Sequence, residues 1–209
     1  MSTILDIVRI PVLNDNYVWL MREPQSGAVG VVDPAVAGPI LAEAAKRRWK
    51  ITHILNTHHH GDHVGGNRAG PHQRPHRLRL PRAEGAVLRA IRCSPWAEGT
   101  PQQFWTSLAR LRALPDEMRV YCAQEYTQSN ARFAVTIEAD NSELMERSAA
   151  IDAARARGEA TVPSLLGEEK ATNPFLRADV PAVQRAVGMT GGDPAAVFAE
   201  VRHRKDLFR

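Results

Sequence analysis

A layered α/β architecture followed by a smaller helical part is the fold class this sequence predicts, and three observations predict it. Short strand-like runs separated by turn residues open the chain, a β-α-β order follows, and beyond about residue 122 helix starts and stops replace strand patterning.

The opening reads as a meander. Ile4 to Ile10, Tyr17 to Arg22 and Ala28 to Val32 are strand-like, with turn material at Asn14-Asp15-Asn16 and Gln25-Ser26-Gly27. Ala35 to Arg48 then places Ile40, Leu41 and Ala44 at helical spacing, and Ile51 to Leu55 makes a short strand of the buried type. Thr100-Pro101-Gln102-Gln103 combines a Thr cap, Pro at the first helical position and Gln at the third, a capping box whose helix is expected to run to about Leu114. Pro115-Asp116 turns the chain into a further apolar strand, Met118 to Cys122. After it, Asn141 is expected to cap a helix ending at Gly158, Asp179 to cap another, and Asp193-Pro194 to open a last one reaching His203. No internal repeat is found.

With 209 residues, one or two domains are expected at about 150 residues each. A composition of 44% hydrophobic and 24% charged residues excludes fibrous and disordered classes. Two cysteines, Cys93 and Cys122, cannot build a disulfide framework, so a reducing cytoplasm is expected. Asp6 and Arg9 interrupt the apolar start, so neither a secretion signal nor a membrane span is expected there.

The net charge of +4 is unevenly placed. Seven arginines and one acid, Glu84, lie between Arg68 and Arg92, a local +6 that leaves −2 for the rest of the chain. Pro71, Pro75 and Pro81 keep the first half of this stretch out of helix or central strand. A basic arm for phosphates and a solvated insertion are both compatible with such a run. The absence of interleaved aromatics argues against base stacking, and no nucleic-acid partner is expected.

The densest signal is Thr57-His58-His59-His60-Gly61-Asp62-His63, which holds four of the eight histidines within six positions, directly after the strand ending at Leu55. In an extended segment His58 and His60 share a side, and Gly61 lets the chain turn so that Asp62 and His63 face a neighbouring point. Two adjacent metal positions follow, with neutral imidazole and carboxylate donors suited to Zn, Fe or Mn. The bland alternative is a surface histidine run. Gly65-Gly66 is expected to bring backbone close to the site before a helix begins, and His53 and His59 are read as structural.

This His-x-His-x-Asp-His loop resembles the signature of the metallo-β-lactamase superfamily. Val12-Leu13-Asn14-Asp15-Asn16-Tyr17, Val32-Asp33-Pro34, Glu98-Gly99-Thr100-Pro101, Tyr121-Cys122-Ala123-Gln124-Glu125-Tyr126-Thr127, Thr172-Asn173-Pro174-Phe175-Leu176-Arg177 and Arg202-His203-Arg204-Lys205-Asp206 narrow the resemblance to the hydroxyacylglutathione hydrolase, or glyoxalase II, family. It covers nearly everything except residues 68–97. The resemblance implies an αββα sandwich, incomplete here, over residues 1–122, and a helical glutathione-binding domain over 123–209. It implies hydrolysis of S-D-lactoylglutathione to glutathione and D-lactate, the detoxification of methylglyoxal; a cytoplasmic monomer is expected. Two metals, usually zinc with iron or manganese tolerated, would generate hydroxide near neutral pH and polarise the thioester carbonyl.

Carried over by position, His58 and His60 would hold the first metal and Asp62 and His63 the second, with Asp62 also the candidate catalytic residue. Tyr126, Arg202 and Lys205 would bind glutathione, the two cations facing its carboxylates. From the residues alone, the first reading of Arg202 and Lys205 is that they complement a helix dipole.

Three departures accompany the resemblance. A Pro-Gly-His-Thr turn and a Gly-Asp-Thr turn, each bearing a metal ligand in the family, are absent between the histidine loop and Glu98. That interval is also tens of residues short, so strands should be missing with the ligands. Where the family has Cys-x-His-Glu, this chain has Cys122-Ala123-Gln124-Glu125. Two protein ligands per metal remain, against the three usual at a catalytic zinc, which predicts weak turnover; a remnant that only binds glutathione conjugates is the alternative. A stretch rich in Arg, Pro, Ala and Gly with few acids is also what a GC-rich gene yields when read out of frame. Substitute ligands from His72 or His76 are the competing possibility.

Overall fold

The structure is a computed structural model and describes residues 5–67, 86–88 and 99–208. The arginine-rich stretch, with His72 and His76, lies outside the described residues apart from a short strand, Ala86–Leu88 (β5).

The meander forms as the turn residues require. Strands β1 (Asp6–Val12), β2 (Asn16–Arg22) and β3 (Val29–Val32) pair antiparallel in sequence order. Helix α1 (Ala37–Lys46) then crosses over, and β4 (His53–Leu55) joins parallel to β3. Ile10, Val12, Val18, Leu20, Val29, Val31, Ile40 and Ala44 make the core between this sheet and α1. The helix is shorter than Ala35 to Arg48 because Arg48 takes a left-handed conformation (φ 57°), and the Trp49 amide returns to the Ala44 carbonyl at 2.8 Å.

Strand β2 is buried on both faces, which explains why Asn-Tyr-Val-Trp-Leu-Met does not alternate. Val18 and Leu20 enter the α1-side core. On the opposite face Trp19 packs edge-on against Tyr121, ring centroids 4.9 Å apart, and its indole N–H donates to the Cys122 carbonyl at 2.9 Å.

Where the sequence suggests one boundary after Cys122, the contacts divide the chain discontinuously. One unit is Met1–Ala90 with Tyr121–Glu125; the other is Ile91–Val120 with Tyr126–Arg209. The second unit is helical. It contains α3 (Pro101–Arg112), α4 (Thr127–Ile137), α5 (Ser142–Ala156), α6 (Leu166–Thr172), a 3-10 turn (Pro174–Leu176), α7 (Pro181–Ala186) and α8 (Pro194–Leu207). The two-residue strand β7 (Ser164–Leu165), too short to carry a pattern, pairs antiparallel with β6 (Arg119–Tyr121) through Arg119 and Val120. Phe133, Phe175, Phe198 and Phe208 form a chain of ring contacts with centroids 5.6–6.0 Å apart, and Phe104 of α3 stacks on Phe198 at 6.3 Å.

Most expected caps are present. Thr100 and Gln103 form the reciprocal capping box of α3, Asn141 accepts from the Leu144 amide at 3.1 Å, and Asp193 accepts from Ala196 at 3.1 Å. Asp179 is a correction: Pro181 and the extended Val180 start α7 without a side-chain cap, and the Asp179 carboxylate pairs instead with Arg112 of α3. Helix α8 also runs past His203 to Leu207. Among the described residues no helix is long and apolar enough to cross a membrane.

Candidate metal centre

The histidine loop leaves the end of β4 and is anchored by one buried carboxylate. Asp33, directly after β3, takes a left-handed φ of 50°, a conformation an aspartate tolerates better than most residues. Its amide donates to the Leu55 carbonyl at 2.8 Å, tying the ends of β3 and β4 together. Its Oδ1 accepts from the Thr57 amide and its Oδ2 from the Thr57 hydroxyl, both at 2.7 Å, and His63 Nδ1 lies 3.0 Å from Oδ2.

Gly61 does not make the expected turn. It opens a single helical turn, α2 (Gly61–Val64), so Asp62 and His63 are set by helix geometry. Gly65 and Gly66 end that turn, after the helix and not before one. Their close approach is real: a Cβ at Gly65 would stand 2.5 Å from the Ala35 carbonyl oxygen, and one at Gly66 2.8 Å from that of Pro34. The Gly66 amide donates to this Pro34 oxygen at 2.7 Å, and Asn56 holds the His63 carbonyl at 2.9 Å.

A hydrogen bond selects the His58 tautomer. Thr57 has one hydroxyl proton and gives it to Asp33, so toward His58 Nδ1, 2.9 Å away, the hydroxyl is the acceptor. His58 therefore carries its proton on Nδ1 and its lone pair on Nε2. At His63 the Asp33 carboxylate lies 3.0 Å from Nδ1 and the Asp62 carboxylate 3.2 Å from Nε2, and a proton on Nδ1 leaves Nε2 as the acceptor for a neighbouring amide. This is how metal-binding imidazoles are oriented from behind. The rings of His58 and His60 meet edge to face with centroids 4.9 Å apart, and those of His58 and His63 are 3.9 Å apart.

Asp62 and His63 have a different neighbour. The side-chain amide of Gln124 donates to Asp62 Oδ2 at 3.1 Å and to His63 Nε2 at 2.9 Å, and Asn16 adds a bond to the same Asp62 oxygen at 3.2 Å. Partial burial pushes the Asp62 carboxyl up. The bond from Asn16, the neighbouring His63 imidazole, a backbone amide and the bond from Gln124 together outweigh it and hold the group below the usual aspartate value.

The donors of His58 and His60 fit a divalent cation in type, and that of His58 also in tautomer. The Asp62–His63 pair does not, because both lone pairs face an amide N–H. Among the described residues no three His, Cys, Asp or Glu side chains converge to hold an ion.

In the helical unit, Tyr126 precedes α4 and is 40% exposed. Lys205 reaches the first turn of that helix, its Nζ 3.1 Å from Ser129 Oγ and above the rings of Phe133 and Phe208. Arg202, by contrast, is buried and paired with Asp206 one turn later. Sequence reasoning assigned no role to Asp33, Thr57 or Asn16. Asp33 and Thr57 lie 24 positions apart, and only pairing of β3 with β4 brings them together.

A histidine-rich loop at the end of a sheet strand, braced by a buried carboxylate just past the end of the neighbouring strand, defines a hydrolase of the metallo-β-lactamase class, and the description of the metallo-beta-lactamase superfamily matches residues 13–121. Metal binding is typical of that class. The description of the hydroxyacylglutathione hydrolase C-terminus matches residues 125–208. The hydroxyacylglutathione hydrolase of Methylococcus capsulatus is 45% identical, with 98% of this chain and 99% of the relative aligned. Those of Rhodospirillum rubrum and Ruegeria pomeroyi are 42% and 41% identical over nearly all of both chains. The chain belongs to the hydroxyacylglutathione hydrolase family. The Methylococcus alignment runs over 254 positions against 209 residues here, so tens of positions in the relative have no counterpart in this chain.

Proposed function

We propose that this chain hydrolyses the thioester of S-D-lactoylglutathione to glutathione and D-lactate in the cytoplasm, as a monomer that needs neither nucleic acid nor membrane. The observation that carries the reading is family membership over the whole chain, the helical part included, which does not favour a remnant that only binds conjugates.

His58 and His60 would hold a divalent ion, zinc in the first instance, with Thr57 and Asp33 keeping the His58 ring in its metal-binding tautomer. When bound, the ion supplies Lewis acidity toward the thioester carbonyl. Asp62, kept ionised by Asn16 and Gln124, would accept a proton from the attacking water. Lys205 and Tyr126 offer a cation and a phenol to the carboxylates and amides of glutathione, and Arg202 supports that face through its pair with Asp206. Residues 1–122 would thus carry the chemistry and 123–209 the grip on the substrate.

The test is release of glutathione from S-D-lactoylglutathione by the purified, zinc-loaded chain. Slow hydrolysis that a chelator abolishes is expected. A folded, metal-loaded chain that leaves the thioester intact overturns the reading.

A further inference from the structure

We infer that the Gln124 amide takes the place of a cation between Asp62 and His63, so that this chain holds no more than one divalent ion, on the His58–His60 side. The amide nitrogen, the Asp62 oxygen and the His63 nitrogen form a triangle with sides of 2.9, 3.1 and 3.2 Å. The ligand pair at 3.2 Å has the spacing of two donors sharing one ion at about 2.0–2.2 Å from each. What faces them is a neutral group with two N–H bonds, one for each acceptor, and no lone pair on nitrogen. It satisfies both acceptors as a cation would, without bringing charge.

The backbone gives this side chain little choice of direction. Residue 124 is bridged to Asn16, with the Tyr17 amide donating to the Ala123 carbonyl at 2.7 Å and the Glu125 amide to the Asp15 carbonyl at 2.8 Å. Tyr17 also donates its hydroxyl to Glu125 at 2.8 Å. Turning the amide over would set its oxygen against the Asp62 carboxylate and the His63 lone pair, two repulsive contacts in exchange for two hydrogen bonds. An ion entering here must break both bonds and gains at best a neutral carbonyl.

The inference rests on the metal-binding character of the histidine loop but not on thioester hydrolysis, and it is read without substrate. The full chain is stripped with a chelator, titrated with zinc, dialysed and analysed for metal, alongside Gln124→Glu and Gln124→His, each of which puts a lone pair where the amide stands. The wild-type chain is expected to retain no more than one ion and both variants one more than wild type. Wild-type protein with two ions, or folded variants that gain none, would overturn it. Imidazole nitrogen shifts in wild-type protein provide a reading independent of how the variants fold. Zinc should move the resonances of His58 and His60 and leave His63 Nε2 in place; a zinc-dependent shift at His63 refutes the inference. A chain that binds as expected and yet spares the thioester would count against the proposed function alone.

Discussion

Thr57 shows how much of a site can rest on one hydroxyl. It passes its proton to Asp33 and accepts from His58, so Thr57→Val removes the bond that sets the His58 ring and leaves an acceptor of Asp33 unmet. Loss of an outer partner of this kind costs about 10–100-fold in metal affinity. That loss is the expected result of a zinc competition titration with a coloured chelator, while the unfolding midpoint moves much less. Gly65 makes the complementary case in packing. Gly65→Ala places a methyl 2.5 Å from a backbone oxygen that cannot rotate away, so a destabilisation of about 1–3 kcal/mol is expected from urea unfolding. Neither role is visible locally: Thr57 looks like a spacer before the histidines, and Gly65 like part of a flexible pair. The histidine loop itself was legible, because ligand chemistry requires those residue types close together in sequence. Its supports were not, since they come from β3 and from the segment after β6.

At the scale of elements, legibility followed the locality of the physics. The capping box of α3 and the Asn141 cap of α5 are contained within four residues and could be read directly. Asp179 has the look of a cap, but a guanidinium on α3 competes successfully for its carboxylate. Asn141→Ala should cost about 1 kcal/mol for the cap, and somewhat more because the same amide also donates to the Ala171 carbonyl at 2.9 Å. Between α5 and α6 the structure adds an ion pair that no pattern announces. Burial pushes the Glu169 carboxyl up, but Arg147, Asn173 and Ser164 outweigh it and hold it below the usual glutamate value. A carboxyl depressed in the folded state stabilises at pH values above its unfolded range, and that contribution disappears as the pH falls through the folded value. Glu169→Gln is therefore expected to lower stability near neutral pH by about 3 kcal/mol, because Arg147 is left largely buried and unpaired. It should also flatten the acid side of the stability profile. Denaturant melts across an acid pH series check both; a variant whose profile parallels wild type contradicts the assignment.

For the whole molecule, the family match runs across residues 68–97, yet neither a Pro-Gly-His-Thr nor a Gly-Asp-Thr turn occurs within them. The flanking parts each have a core of their own: the sheet with α1 before the interval, the phenylalanine-centred helical unit after it. The interval has seven arginines between 68 and 92, a single acid, and three prolines within eleven positions, a composition unlike either flank. Codons for Arg, Pro, Ala and Gly are the ones GC-rich DNA supplies when read in a frame that selection has not shaped. The relatives carry tens of positions that this chain lacks, and a change of frame together with lost sequence would account for composition and length at once. Translation of the gene's other two frames across this interval is expected to yield strand-like alternation or a Gly-Asp-Thr turn, and a chain rebuilt in that frame should gain metal affinity and turnover together. If neither frame contains such a segment, the interval is native to this protein, and the low ligand count is a property of the enzyme and not of its reading frame.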